Sequence, residues 1–124
     1  MKVKIDRKAV YDKYGGRCAY CGEKIPFKKM QVDHIVAKAR YEKLPKEKKA
    51  KIELDGIKNL NPSCHPCNYY KHSFSLEGFR SELKLMQKRL LKIFIVRLAL
   101  KYKMIEMKED EIKFYFEKQM RRTK

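Results

Sequence analysis

Acidic residues are scarce in this chain: 15 Asp and Glu stand against 32 Lys and Arg, a net +17 with a pI of ≈ 9.8. A solubilising surface does not need so one-sided a balance. The excess points to a polyanionic partner, and nucleic acid is the commonest. Long apolar runs are also missing. The longest, LLKIFIVRLAL at 90–100, is broken by Lys92 and Arg97, well short of the roughly 20 residues that span a bilayer. The opening MKVKIDRK has no apolar h-region, so no signal peptide is expected and the predicted location is cytoplasmic, without a membrane partner. Repeats and low-complexity segments are absent. With 124 residues, 44% of them hydrophobic, the chain should form one domain with a modest core and a small appended element.

The four cysteines fall in two pairs, Cys18-Ala-Tyr-Cys21 and Cys64-His-Pro-Cys67, with 42 residues between them. Two such knuckles offer four thiolates and can close a tetrahedron around zinc. Two disulfides or a redox pair are the alternatives, and a reducing compartment disfavours the disulfides. Structural zinc contributes about 10–16 kcal/mol of apparent binding energy in small domains, which would compensate for a thin core. Zinc would also draw residues 18–21 and 64–67 together and fold what lies between into a hairpin.

Along the chain, Asp6 reads as an N-cap, with Ile5 and Val10 as a hydrophobic staple, for a short helix to about Tyr14 that ends at Gly15 and Gly16. Residues 27–36 favour strand. The stretch from Lys38 to Lys51 holds seven basic and two acidic residues with Pro45 inside it, which predicts a surface loop or broken helix. A second strand is expected near Ile57–Leu60 and a helix near Pro66. Ser75 is placed to cap a long helix on whose apolar face Leu76, Phe79, Leu83, Met86, Leu90 and Ile93 recur. Lys84, Lys88 and Lys92 form a stripe on another face. The sequence beyond Leu90 is apolar nearly all round, so a cover is expected, either the alternating segment IKFYFEK at 112–118 read as a strand, or a second subunit.

Histidines number only three, and one sits in VDHIVA at 32–37. A core histidine satisfied by Asp33 is the plainer account of those residues alone; a metal-assisted general base is the other. The wider text is CAYCGEKIPFKKMQVDHIVAKA followed by DGIKNLNPSCHPCNYYKHS. It joins both cysteine pairs, an Asp-His-Ile, an Asn-Leu five residues before the second knuckle, and CNxxK. In that combination it resembles the HNH endonucleases, over roughly residues 15–75.

The resemblance implies an α+β fold. Its core would be a zinc-stabilised ββα-metal unit over 1–75 with an N-terminal helix. Residues 76–124 would follow as a long helix and a C-terminal strand, packed on the core or used for a homodimer. It also implies a divalent-metal-dependent DNA endonuclease. His34 would be the general base and Asn59 the asparagine that braces the loop behind it. Asp33 and Asn68 would hold the catalytic ion, with His72 a further ligand four residues on. Lys71 would contact phosphate, and Lys38 and Arg40 would join the nucleic-acid surface. Cys18, Cys21, Cys64 and Cys67 would hold structural zinc. Asp and Asn are hard oxygen donors, so the catalytic ion should be Mg²⁺ or Mn²⁺. A histidine with an ordinary pKa near 6.5 suits the base at neutral pH. If Asp33 and His34 lay in regular strand they would face opposite ways, so the strand should end there. A non-catalytic zinc module that binds nucleic acid is the rival reading. It has no need of Asp33, His34, Asn59 and Asn68 together.

Overall fold

The computed structural model describes residues 4–108 and 111–122. Its chain falls into two compact units, residues 1–75 with 113–124, and residues 76–112. The first unit holds the site.

Helix α1 (Arg7–Asp12) starts where the Asp6 side chain accepts from Ala9 N at 3.2 Å, and it buries Val10. Pro26 then starts a 3-10 turn over Phe27–Lys29, so the first strand is shorter than the sequence suggested: β1 is Gln31–His34. The basic stretch is a broken helix, α2 (Lys38–Glu42) and α3 (Lys46–Lys49), with Pro45 at the start of the second piece. The second strand lies about three residues later than expected. Ile57–Asn59 is a 3-10 turn, and β2 is Leu60–Ser63. Pro62 lacks a ladder N–H, which a two-stranded sheet tolerates because both strands are edges. β1 and β2 pair antiparallel with Asp33 opposite Asn61 and His34 opposite Leu60. Helix α4 (His65–Lys71) follows and packs against β1, while α1 packs on β2. The result is a strand–strand–helix unit with the second cysteine knuckle at the head of its helix.

In the second unit the expected long helix is interrupted. Helix α5 (Leu76–Leu91) gives way at Lys92–Ile93 to α6 (Phe94–Lys101). Ile93, at the break, is β-branched, and Arg97 Nη1 donates to the exposed end carbonyl of Leu91 at 2.7 Å. Lys84, Lys88 and Lys92 lie on the surface, as do Ile93, Phe94, Ile95 and Leu98.

The C-terminal strand is not formed. Residues 112–114 are coil and α7 (Tyr115–Arg122) is a helix. Among the described residues no strand lies alongside to accept a ladder. The N–H groups of Tyr115 and Phe116, unpaired in a first helical turn, donate to Tyr20 O and Ala19 O at 3.0 and 2.8 Å. Glu117 reaches back to accept from Phe114 N at 2.9 Å, the acidic half of a capping box. The period-two pattern has another cause. Phe114 and Phe116 both pack edge-on against Tyr20, with ring centroids 5.3 and 6.1 Å away.

Candidate active site and zinc centre

The two knuckles converge. The four cysteine Sγ atoms all lie within 4.8 Å of one another, with Cys21 and Cys64 3.8 Å apart. A Zn–S bond of about 2.3 Å sets a tetrahedral S–S edge of about 3.8 Å, so the cluster fits zinc. The first knuckle turns through Gly22, at φ +80°, whose N–H donates to Cys18 O at 3.0 Å. Ala19 N donates to Pro62 O at 2.9 Å, which pins this knuckle to β2. A hydrogen bond to its sulfur from the Cys67 thiol, with backbone N–H groups behind it, holds Cys18 down at about 4. Cys67 is correspondingly pushed up, and burial raises Cys21 to about 11.

Asp33 points inward and is 4% exposed. Its carboxylate accepts from the Tyr20 hydroxyl and from Lys71 Nζ, the latter at 3.2 Å. Burial lifts its pKa above the ordinary carboxylate value despite the Lys71 charge. Burial likewise raises Tyr20, and the Asp33 charge adds to it. Lys71 departs from expectation. Expected to reach phosphate, it is fully buried, and Nζ donates to Asp33 and to His34 O at 3.1 Å. A side chain held there has no path to a DNA backbone.

His34 ends β1 and is half-buried, with Nε2 2.7 Å from Asp55 Oδ1. Asn59 bonds to the loop behind it. Its Oδ1 accepts from Val36 N at 2.8 Å, and its Nδ2 donates to Leu54 O at 2.9 Å and Val36 O at 3.2 Å. Asn68 lies on α4, with Nδ2 donating to Gln31 Oε1 at 2.7 Å. Among the described residues its Oδ1 has no hydrogen-bond partner. His72 is an exposed residue in the left-handed region (φ +51°) at the end of α4, its Nδ1 3.1 Å from Ser73 Oγ.

For a catalytic cation, Asp33 on β1 and Asn68 on α4 have suitable hard-oxygen chemistry. A carboxylate offers about four acceptor positions, and Asp33 uses two. It already stabilises one positive charge, that of Lys71.

Basic side chains gather close by. A groove is lined by Val36, Leu44 and Ile52 together with Arg40, Lys43, Lys48 and Lys51, with no carboxylate among these lining residues. Arg40 is exposed and its Nε donates to Ser73 O at 2.6 Å, while Lys38 is exposed at the start of α2.

Asp55 is the residue that sequence reasoning missed. It lies 21 positions from His34, in a segment where nothing but the strand-end geometry marks it.

One compact unit thus joins a strand–strand–helix arrangement, a four-cysteine cluster and a strand-end histidine. Residues 18–74 carry a match to the HNH endonuclease family. That stretch matches the family model and contains every site residue named above. No curated protein and no solved structure matches the chain. HNH domains generally act on nucleic acid, in keeping with the charge. Among the described residues, no helix is long and apolar enough to cross a membrane.

Proposed function

We propose that this protein is a divalent-metal-dependent DNA endonuclease in which His34 is the general base. The observation that carries the reading is the placement of His34 at the end of β1. There the Asn59 brace holds the following loop at 2.8 Å and β1 packs against the helix that bears Asn68. A solvent-reaching imidazole on a braced loop is suited to proton abstraction. The plainer alternative, a core histidine paired with its neighbour, is not favoured, because Asp33 pairs with Lys71 instead.

His34 takes a proton from water while the water oxygen attacks phosphorus. The bond from phosphorus to the 3′ oxygen breaks, and that oxygen takes a proton from solvent. The products carry 5′-phosphate and 3′-hydroxyl ends. Asn68 would offer a hard-oxygen ligand to Mg²⁺ or Mn²⁺, which when bound supplies charge stabilisation at the phosphate, and Asp33 would join it only on release from its buried pairing with Lys71. Zinc in the cysteine cluster has a structural role, linking both ends of the domain. Arg40, Lys38 and the cations of the groove would receive the DNA backbone. One such site cuts one strand, so a monomer nicks, and double-strand cleavage needs a homodimer or two events.

The test is cleavage of supercoiled plasmid with and without Mg²⁺ or Mn²⁺, beside a His34→Ala variant. Metal-dependent nicking by the wild type, lost in the variant with zinc content unchanged, is the expected result. Binding without cutting under any metal would favour the non-catalytic module. Equal cutting by both proteins would remove His34 from the mechanism.

A further inference from the structure

The Asp55 carboxylate has no role in that cleavage scheme, yet it determines which nitrogen of His34 can act. Nε2 lies 2.7 Å from Asp55 Oδ1. A carboxylate only accepts, so the hydrogen between them belongs to the imidazole. A neutral ring carries one such hydrogen. With it on Nε2, Nδ1 is the bare, basic nitrogen. Nδ1 has no hydrogen-bond partner among the described residues.

The surrounding chain holds this pair in place from both sides. Asn59 bonds Val36, two residues after His34, and Leu54, one residue before Asp55. One side-chain amide therefore clamps the two segments that carry the pair. Beyond Asp55 the chain turns tightly: Gly56 N donates to Glu53 O at 3.0 Å, and a Cβ at Gly56 would lie 2.7 Å from the Glu53 side chain. An ordinary surface ion pair has no such support.

We infer that Asp55 is a positioning residue, holding His34 in the Nε2–H tautomer with Nδ1 turned to the reacting water. The inference rests on the reading of His34 as the base. The Asp55 carboxylate touches no reacting atom. It acts by fixing ring orientation and by stabilising the imidazolium that forms when Nδ1 takes the proton, as a carboxylate does behind other catalytic histidines.

The test combines two measurements on the zinc-loaded full chain. Nitrogen-15 spectra of the histidine rings are recorded at pH about 8, above the ordinary histidine pKa of about 6.5. His34 is assigned by its loss in His34→Ala. The wild type should show a protonated Nε2 and a bare Nδ1, and Asp55→Ala should show both tautomers. Plasmid nicking by Asp55→Ala should fall about 10- to 100-fold, with plasmid affinity and zinc content unchanged. Asp55→Asn, whose amide N–H can donate to Nε2 and favour the Nδ1–H tautomer, should lose at least as much nicking, and it serves if the alanine variant folds poorly. The inference is overturned if Asp55→Ala nicks at the wild-type rate, or if its His34 ring keeps the wild-type tautomer. If the wild type fails to nick with any metal, the cleavage reading falls. The wild-type ring then decides alone: Nε2–H supports the pairing and Nδ1–H overturns it.

Discussion

Lys71 Nζ lies 3.2 Å from Asp33 Oδ1 with both side chains buried, and it also donates to His34 O at 3.1 Å. One lysine thus ties α4 to both members of the Asp-His pair. Removing one partner of a buried ion pair leaves the other charge uncompensated, at a cost of about 3–5 kcal/mol. Lys71→Met should lower the unfolding free energy of the zinc-loaded protein by about that much. Lys38→Met, on the exposed surface, should change it by less than about 0.5 kcal/mol. Urea unfolding of the two variants makes the comparison, and equal midpoints would mean that the Lys71 pairing contributes nothing.

Zinc uptake should depend on pH. In the metal-free cluster Cys18 is already ionised at neutral pH, while burial holds Cys21 near 11 and the shared hydrogen bond with Cys18 holds Cys67 up. Their protons must leave when zinc binds. A group whose metal-free pKa lies above the ambient pH releases its proton on binding, so affinity rises as pH rises. Log affinity should therefore climb by about two per pH unit across the neutral range from these two thiols. Competition against a chromophoric chelator at several pH values reads the slope, and a flat profile would contradict the protonation pattern.

Asn59→Ala should loosen two segments at once. It removes the bonds to Val36 and Leu54 and leaves their backbone groups unsatisfied. The cost should be about 1–3 kcal/mol in stability. Nicking should fall by more than the unfolded fraction explains, because His34 and Asp55 both lose their support. Measuring rates well below the melting temperature separates the two effects.

The groove cations should govern DNA affinity without touching chemistry. Arg40→Gln with Lys43→Gln should weaken metal-free binding and reduce the magnitude of the log–log salt slope by about one for each phosphate no longer neutralised. Fluorescence anisotropy with a labelled duplex at several salt concentrations measures this. An unchanged slope would place the DNA elsewhere.

Gly22→Ala should disturb the zinc knuckle. At φ +80° a side chain is strained, and its Cβ would lie 2.9 Å from Tyr115 Cδ1. A destabilisation of about 1–2 kcal/mol, with weaker zinc retention against chelator, is expected.

Much of the first unit is legible in the chain because its signals are local. Asp6 caps α1 as its position suggested. Pro45 breaks the basic stretch into two helices. The knuckles sit in the spacing that zinc chemistry requires, and their sulfurs meet. The sequence misleads where a local pattern has a non-local cause. IKFYFEK alternates because two phenylalanines share one partner ring, Tyr20, and the capping role of Glu117 is the sign of a helix within it. The strand expected at Ile57–Leu60 begins instead at Leu60, because Asn59 is committed to bracing the loop.

The sequence by itself determined the motif: which residue types are present, in which order, and at which spacings around the two cysteine pairs. Those follow from covalent order and the demands of a metal cage. Only the tertiary structure decided the partners of the charged groups. Lys71 turns inward to Asp33 rather than outward to phosphate, and Asp55 meets His34 across a loop. Burial and the pairing of charges depend on which segments pack together, and no spacing along the chain encodes that.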